Sequence, residues 1–157
     1  MSSLEQNARI TPFLWYESKA EEAVAFYLGV FKNSRQTGKM IREIDDPSGP
    51  KGSVLLINFE LEGLQFTALN GGSMYKFNEA VSFVVRCDNQ SEIDYYWDKL
   101  TDGGSEIACG WLRDKFGLCW QVTPARIAEL IKHPKAMQAM MQMKKLDIAE
   151  LERAGRS

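Results

Sequence analysis

One histidine and three cysteines are the side chains of this 157-residue chain best suited to metal or nucleophilic chemistry, and their spacing restricts both. A site needing two or three imidazoles cannot be assembled by a single copy. That removes three-histidine zinc sites, HExxH metalloproteases and two-histidine iron triads. His133 lies in KHPK, a basic stretch, directly before a proline, and reads as a solvated loop residue rather than a general base. Cys87, Cys109 and Cys119 show no CxxC pairing. A reactive thiolate needs an electropositive, partly exposed setting. Arg113 and Lys115 lie near Cys109 and Cys119 in sequence, but no partner base can be named, so inert thiols are expected and no catalytic residue is assigned. The segment NGGSMYKFNE, residues 70–79, is the remaining local feature. Gly71 and Gly72 permit close backbone approach and φ > 0, while Tyr75 and Phe77 are placed either to stack on a planar ligand or to anchor the loop. The segment lacks Walker spacing and is not a phosphate loop.

The elements that must position these residues belong to a globular protein. With 45% hydrophobic and 25% charged residues, the composition excludes disorder and a disulfide scaffold, and the length suits a single domain over residues 1–157. A net charge of −2 gives no general attraction to nucleic acid or to anionic lipid. No apolar run reaches the about 20 residues of a membrane span. The start, MSSLEQNARI, is polar, so no secretory leader is expected and the cytoplasm with reduced thiols is the expected compartment.

Residues 10–16, ITPFLWY, read as a buried strand. Ser18 and Glu21 offer an S-x-x-E capping box, after which Ala20, Ala23, Val24, Tyr27, Leu28 and Phe31 mark one face of a helix. A strand at 35–44 and a turn cluster at 45–52 lead into a hairpin of 53–61 and 64–70, reversed at Glu62-Gly63. The pattern then restarts. Strand 81–87 is followed by a capping signal at Asn89 and Glu92, and by a helix with Ile93, Tyr96, Trp97 and Leu100 on one face. Short strands at 105–109, 110–113 and 118–123 complete the second half, with Asp114-Lys115 read as a solvated turn.

Laying one half on the other places Phe13 on Phe83, Phe26-Tyr27 on Tyr96-Trp97, and Thr67 on Gln121. Each half reads β-α-β-β-β. The expected fold is therefore α+β, with duplicated βαβββ modules at 9–70 and 81–124 forming curved sheets with a half-barrel groove between them. Residues 71–80 are a linker loop. After them and the second module, residues 125–157 form a helical extension whose Met137, Met140, Met141, Met143, Leu146, Ile148 and Leu151 exceed what a solvent-exposed helix carries. A homodimer contact is the preferred use of that surface.

The stretches TPFLWY, AEEAVAFYLGVFKNSR, ALNGGSMYKFNEAVSF, YYWDKL and CGWLRDKFGLCWQVTP resemble the PhnB-like branch of the vicinal oxygen chelate superfamily, that of glyoxalase I, bleomycin-resistance proteins and extradiol dioxygenases. The resemblance implies the glyoxalase/bleomycin resistance/dihydroxybiphenyl dioxygenase fold. Some members of the branch carry the label 3-demethylubiquinone 3-methyltransferase, but a SAM-dependent methyltransferase of the usual kind needs a parallel α/β sheet with a glycine-rich loop, which this chain lacks.

Superfamily enzymes hold a divalent metal with four side chains from the first and last strand of each module. The resemblance places those positions at Pro12, Thr67, Ser82 and Gln121, with Phe66 or Ala68 in place of Thr67 if that strand slips by one residue. Proline has no ligand atom and neutral hydroxyls bind Zn²⁺, Ni²⁺ or Fe²⁺ poorly, so no metal or other cofactor is expected to be tightly held. In the same register Thr67, Ser82, Arg86, Cys119 and Gln121 face the groove, walled by aromatic residues that include Tyr75 and Phe77. The expected function is binding of a small, planar or anionic metabolite. A metal-dependent lyase, isomerase or dioxygenase and a sequestering protein that does no chemistry are the alternatives.

Overall fold

The computed structural model describes residues 8–157; the first seven residues of the polar amino-terminal segment lie outside them. The chain separates into two compact units, one ending at Phe77 and one spanning Asn78–Ser157. The first holds β1 (Phe13–Tyr16), α1 (Ala20–Val30), β2 (Ser34–Ile41), β3 (Val54–Leu61) and β4 (Leu64–Asn70). The second holds β5 (Ser82–Cys87), α2 (Gln90–Thr101), β6 (Ser105–Glu106), β7 (Trp111–Arg113) and β8 (Cys119–Pro124), followed by α3 (Ile127–Leu130), α4 (Pro134–Met141) and α5 (Ile148–Gly155). The strand orders are β1-β4-β3-β2 and β5-β8-β7-β6. In each sheet the first strand pairs in parallel with the last and the other pairs are antiparallel, which is the same βαβββ topology twice.

Side-chain alternation builds the core of the first unit. Leu14 and Tyr16 are buried, whereas Phe13 is exposed and Trp15 half-buried. The expected burial of 10–16 throughout is thus corrected to one face, because an edge strand in a sheet covered by a helix hides alternate residues. Tyr27 of α1 stacks on Phe59 at 6.1 Å and Phe59 on Phe66 at 5.2 Å, while the Tyr16 and Tyr27 hydroxyls bond at 2.8 Å. Each such buried aromatic contributes roughly 1.5–3 kcal/mol by leaving water. Glu62 and Gly63 adopt φ of 50° and 84°, the left-handed pair that a two-residue type I′ hairpin requires.

The start of α1 departs from the expected capping box. Lys19 occupies the N-cap without a side-chain bond, and Ala20 N donates instead to Asn70 Oδ1 at 2.8 Å. Asn70 Nδ2 donates to Glu21 Oε1 at 2.7 Å and to the Val54 carbonyl at 3.0 Å. The physical reason is the parallel ladder. Tyr16 pairs with Asn70, so the end of β4 lies beside the exit of β1 and supplies the acceptor before Ser18 can. Arg42, 4% exposed, donates to Asp46, Ser48, Ser53 and the carbonyls of Val54 and Asn70. Gly71 is required by close approach, since a Cβ there would lie 2.4 Å from the Trp15 ring.

In the second unit Asn89 caps α2 as expected, accepting from Glu92 N at 3.0 Å, and Ile93, Trp97 and Leu100 are buried. Asp114 is not the solvated turn residue expected. It is buried and accepts from Phe116 N, Leu118 N and Trp120 Nε1 at 2.8–3.1 Å, tying the last hairpin to the core. The strand expected at 105–109 stops at Glu106, because Cys109 N and Gly110 N donate to the carbonyls of Met143 and Lys144 rather than to a ladder. The tail is further held by Gln90, whose amide donates to the Leu146 carbonyl and accepts from Ile148 N. Leu146 and Leu151 are therefore buried within the chain, which removes them from the surface assigned to a partner, while Met137 and Met141 stay exposed.

Asn70→Leu is expected to lower the stability to unfolding by about 2–3 kcal/mol through loss of three side-chain bonds, one of which caps α1. Urea denaturation read by circular dichroism checks this, and a loss below 0.5 kcal/mol contradicts it.

Candidate functional site

Residues directly paired in a ladder share a sheet face, which assigns the sequence-derived candidates without further assumption. In the second unit, Ser82 pairs with Cys119, Val84 with Gln121 and Arg86 with Thr123, while Trp111 and Arg113 of β7 oppose Gln121 and Cys119. These residues form the face turned away from buried Leu112, Trp120 and Val122. Gln121 Nε2 donates to Ser82 Oγ at 2.9 Å. Arg86 is exposed and forms no ion pair with a described residue, whereas Arg113 pairs with Glu79. Four of the candidates, Ser82, Arg86, Cys119 and Gln121, thus share one sheet face, on which Arg86 is exposed, Ser82 and Gln121 are half-buried and Cys119 is fully buried.

Thr67 belongs to the first unit. It opposes Asn58 on β3, and its Oγ1 donates to Asn58 Oδ1 at 2.6 Å. Phe66 and Ala68 point to the other face, Phe66 stacking on Phe59 beneath α1, so the register at Thr67 does not slip. Pro12, however, is displaced from its expected role. It precedes β1 and lends only its carbonyl to Thr67 N at 3.0 Å, and the residue paired with Thr67 is Phe13. Phe13 then answers to Val84 rather than Phe83, because Val84 is the partner of Gln121.

Tyr75 and Phe77 part company. Tyr75 meets the Trp15 ring edge-on at 4.9 Å and remains exposed, whereas Phe77 packs at 5.1 Å on Tyr16, a buried residue on the α1 side. Both rings act as anchors of the loop that begins at Gly71, and Trp15 Nε1 donates to the Gly72 carbonyl at 2.8 Å. Asn58 escaped sequence reading. Its signal is a lone amide inside the apolar run VLLINFEL.

A family model described as 3-demethylubiquinone-9 3-methyltransferase matches residues 8–123. A Bacillus cereus PhnB protein of the same description is 32% identical, the match covering 75% of this chain and 100% of that one with a TM-score of 0.68. The chain belongs to this family. The PhnB-like branch and its duplicated fold, expected from the residues, are those of the protein. A Pseudomonas aeruginosa protein, 19% identical over 75% of this chain and 98% of its own, has a TM-score of 0.61. The fosfomycin resistance protein FosX of Listeria monocytogenes, solved with Mn(II) and sulfate, is 13% identical over 78% and 93%, with a TM-score of 0.52. Both show the shared fold. No curated protein matches the chain.

In this PhnB-family chain the donor set at the strand positions is Phe13, Thr67, Ser82 with Val84, and Gln121, which offers hydroxyls and one amide but neither imidazole nor carboxylate. That set does not fit a transition metal. Among the described residues no group of three or more His, Cys, Asp or Glu is placed to hold a metal ion. His133 is the N-cap of α4, its Nδ1 accepting from Lys135 N at 3.1 Å. Cys87 and Cys119 are buried and Cys109 is partly exposed.

Burial, and then the nearby charges of Glu92 and Asp88, push the Cys87 thiol from 9.0 up to about 12. The unfolded chain releases this proton near 9 and the folded chain near 12, so the stability tied to the protonated thiol is full below 9 and lost between the two values. The unfolding midpoint in urea should fall across that interval more steeply in the parent than in Cys87→Ala; identical slopes would contradict the assignment.

Proposed function

We propose that the protein binds a small metabolite on the sheet face that carries Ser82, Arg86 and Gln121, and that it holds no tightly bound metal there. The observation that carries the reading is the Ser82–Gln121 hydrogen bond with an exposed guanidinium on the same face. An amide, a hydroxyl and a guanidinium are weak ligands for a borderline or soft cation but strong partners for carbonyl, carboxylate or phosphate oxygens. The Mn(II) of the Listeria protein lends little to the metal-dependent alternative, since that likeness extends to fold alone. The activity in the family's name calls for a SAM site, and the single parallel pair in each mixed sheet is unlike the parallel sheet and glycine-rich loop such sites use.

The test is a thermal-shift screen against divalent metals, SAM and small carboxylates, carbonyl compounds and phosphates. A ligand at 100 times its Kd stabilises by about 2.7 kcal/mol. Gln121→Ala and Arg86→Ala are each expected to weaken a hit about tenfold, which is about 1.4 kcal/mol. Stoichiometric metal in protein purified without chelator, lost in Gln121→Ala, would overturn the metal-free reading, and stabilisation by SAM would restore the methyltransferase. Release of an unchanged ligand marks a sequestering protein, and turnover marks an enzyme.

The same proposal includes a homodimer and a cytoplasmic location. Exposed Met137 and Met141 on α4 support the first, because methionine surfaces adapt to partners. Three free thiols support the second. Sedimentation equilibrium should show a dimer that Met141→Glu shifts toward monomer; a monomeric parent would end the dimer reading.

A further inference from the structure

Where β2 runs into the 42–53 loop, the first unit carries a half-open cleft of about 440 Å³. That volume lies within the about 300–1,000 Å³ typical of small-molecule sites. Its apolar wall is Met40, Ile41, Ile44 and Leu55, and its polar lining is Arg42, Glu43 and Asp46. Met40, Ile41 and Ile44 are 39%, 40% and 70% exposed. A single exposed apolar residue is ordinary on a protein surface, but three around one concavity form a contiguous patch of the kind that marks a binding site.

The polar lining sets the charge of the occupant. The Arg42 side chain is 2% exposed, and its donors reach Asp46, Ser48, Ser53 and the carbonyls of Val54 and Asn70, which engages all five N–H groups. The guanidinium therefore has nothing to offer an anion. Glu43, in contrast, is exposed and forms no ion pair with a described residue. Asp46 turns Oδ1 to Ser48 and Gly49 and Oδ2 to Arg42, which leaves Oδ2 able to accept a second donor. The lining thus carries two carboxylates against one guanidinium that is already satisfied. Asp46 and Gly49 exchange backbone bonds of 3.0 and 3.1 Å, so the acidic rim is fixed before any ligand arrives.

We infer that this cleft binds a small hydrophobic cation, an alkyl ammonium whose chain lies on Met40, Ile41, Ile44 and Leu55 and whose head meets Glu43 and Asp46. The site belongs to the first unit and does not depend on the ligand reading of the Ser82–Gln121 face. A second copy of the chain is the poorer occupant. β2 is the last strand in its sheet order, and two-fold antiparallel addition about Thr37 would set exposed Arg35 of one copy against exposed Lys39 of the other. Like charges placed directly opposite each other disfavour that pairing and guard the edge.

The experiment is ¹³C–¹H NMR of the isoleucine and methionine methyl groups in the full chain, titrated separately with hexylammonium, 1-hexanol and hexanoate. Hexylammonium is expected to shift Met40, Ile41 and Ile44, with 1-hexanol binding about fivefold and hexanoate at least about tenfold more weakly. Glu43→Gln should weaken hexylammonium about fivefold and leave 1-hexanol unchanged, whereas Ile44→Ser should weaken both. Both positions are exposed, so the fold is expected to survive either change. Hexanoate binding as well as hexylammonium overturns the inference, as does unchanged hexylammonium affinity in Glu43→Gln. Hexylammonium shifts that spare these three methyl-bearing residues overturn it too. Shifts of the same methyl groups on dilution without ligand assign the cleft to a second copy and remove the small-molecule site.

Discussion

Asn70 is the point at which the first unit closes. Its backbone ends the parallel ladder with β1, its side chain caps α1 and ties in the start of β3, and its carbonyl takes one bond from the buried Arg42 guanidinium. A helix N-terminus needs acceptors, and a buried guanidinium needs as many as five. Both demands are met around one residue, so the helix, the ladder and the 42–53 loop cannot rearrange independently. Asp46, which completes the Arg42 shell, is held below the usual carboxylate range mainly by hydrogen bonds from Ser48, with Arg42 adding to the effect. The second unit solves the same problem locally, with Asn89 capping α2 from its own chain end.

Once the outer strands are paired in parallel, alternation decides what each sheet can do. One face of each sheet is given to the helix and filled with aromatic and aliphatic side chains. The opposite face keeps the hydroxyls, amides and the exposed guanidinium: Thr67 with Asn58 in one unit, Ser82 with Gln121 and Arg86 in the other. Thr67 and Gln121 lie on the last strands of the two modules at positions the repeat makes equivalent, but Thr67 bonds to β3 of its module and Gln121 to β5, the first strand of its own. The chemistry differs from that of a metal site because the paired hydroxyls and amides are neutral and already bonded to each other, and the one charged group beside them, the Arg86 guanidinium, is itself a cation.

Much of this was legible from the residues. The order of elements, the Glu62-Gly63 reversal and the Asn89 cap follow from local rules, since turn geometry and capping depend on residues close in sequence. The shared face of Ser82, Arg86, Cys119 and Gln121 follows from strand periodicity and one correct pairing. Pro12 was misplaced because periodicity does not tell which residue begins a strand, and a shift of one reverses the face. The capping box at Ser18 and Glu21 failed because a side chain from β4, distant in sequence, competes for the same N–H groups. Asp114 looked like a solvated turn because nothing near it in sequence announces that Trp120 will need an acceptor.

The sequence by itself determined the duplicated βαβββ plan and the shortage of imidazole, because patterning, turn chemistry and composition are properties of neighbouring residues and of counts. Only the tertiary structure decided which residue opposes Thr67, that Leu146 and Leu151 are covered within the chain, and that Asn58 is left with an unmet donor. Those outcomes depend on ladder register and on which distant groups reach one another first, and hydrogen-bond satisfaction in a buried sheet is a property of the assembled pairs rather than of any segment.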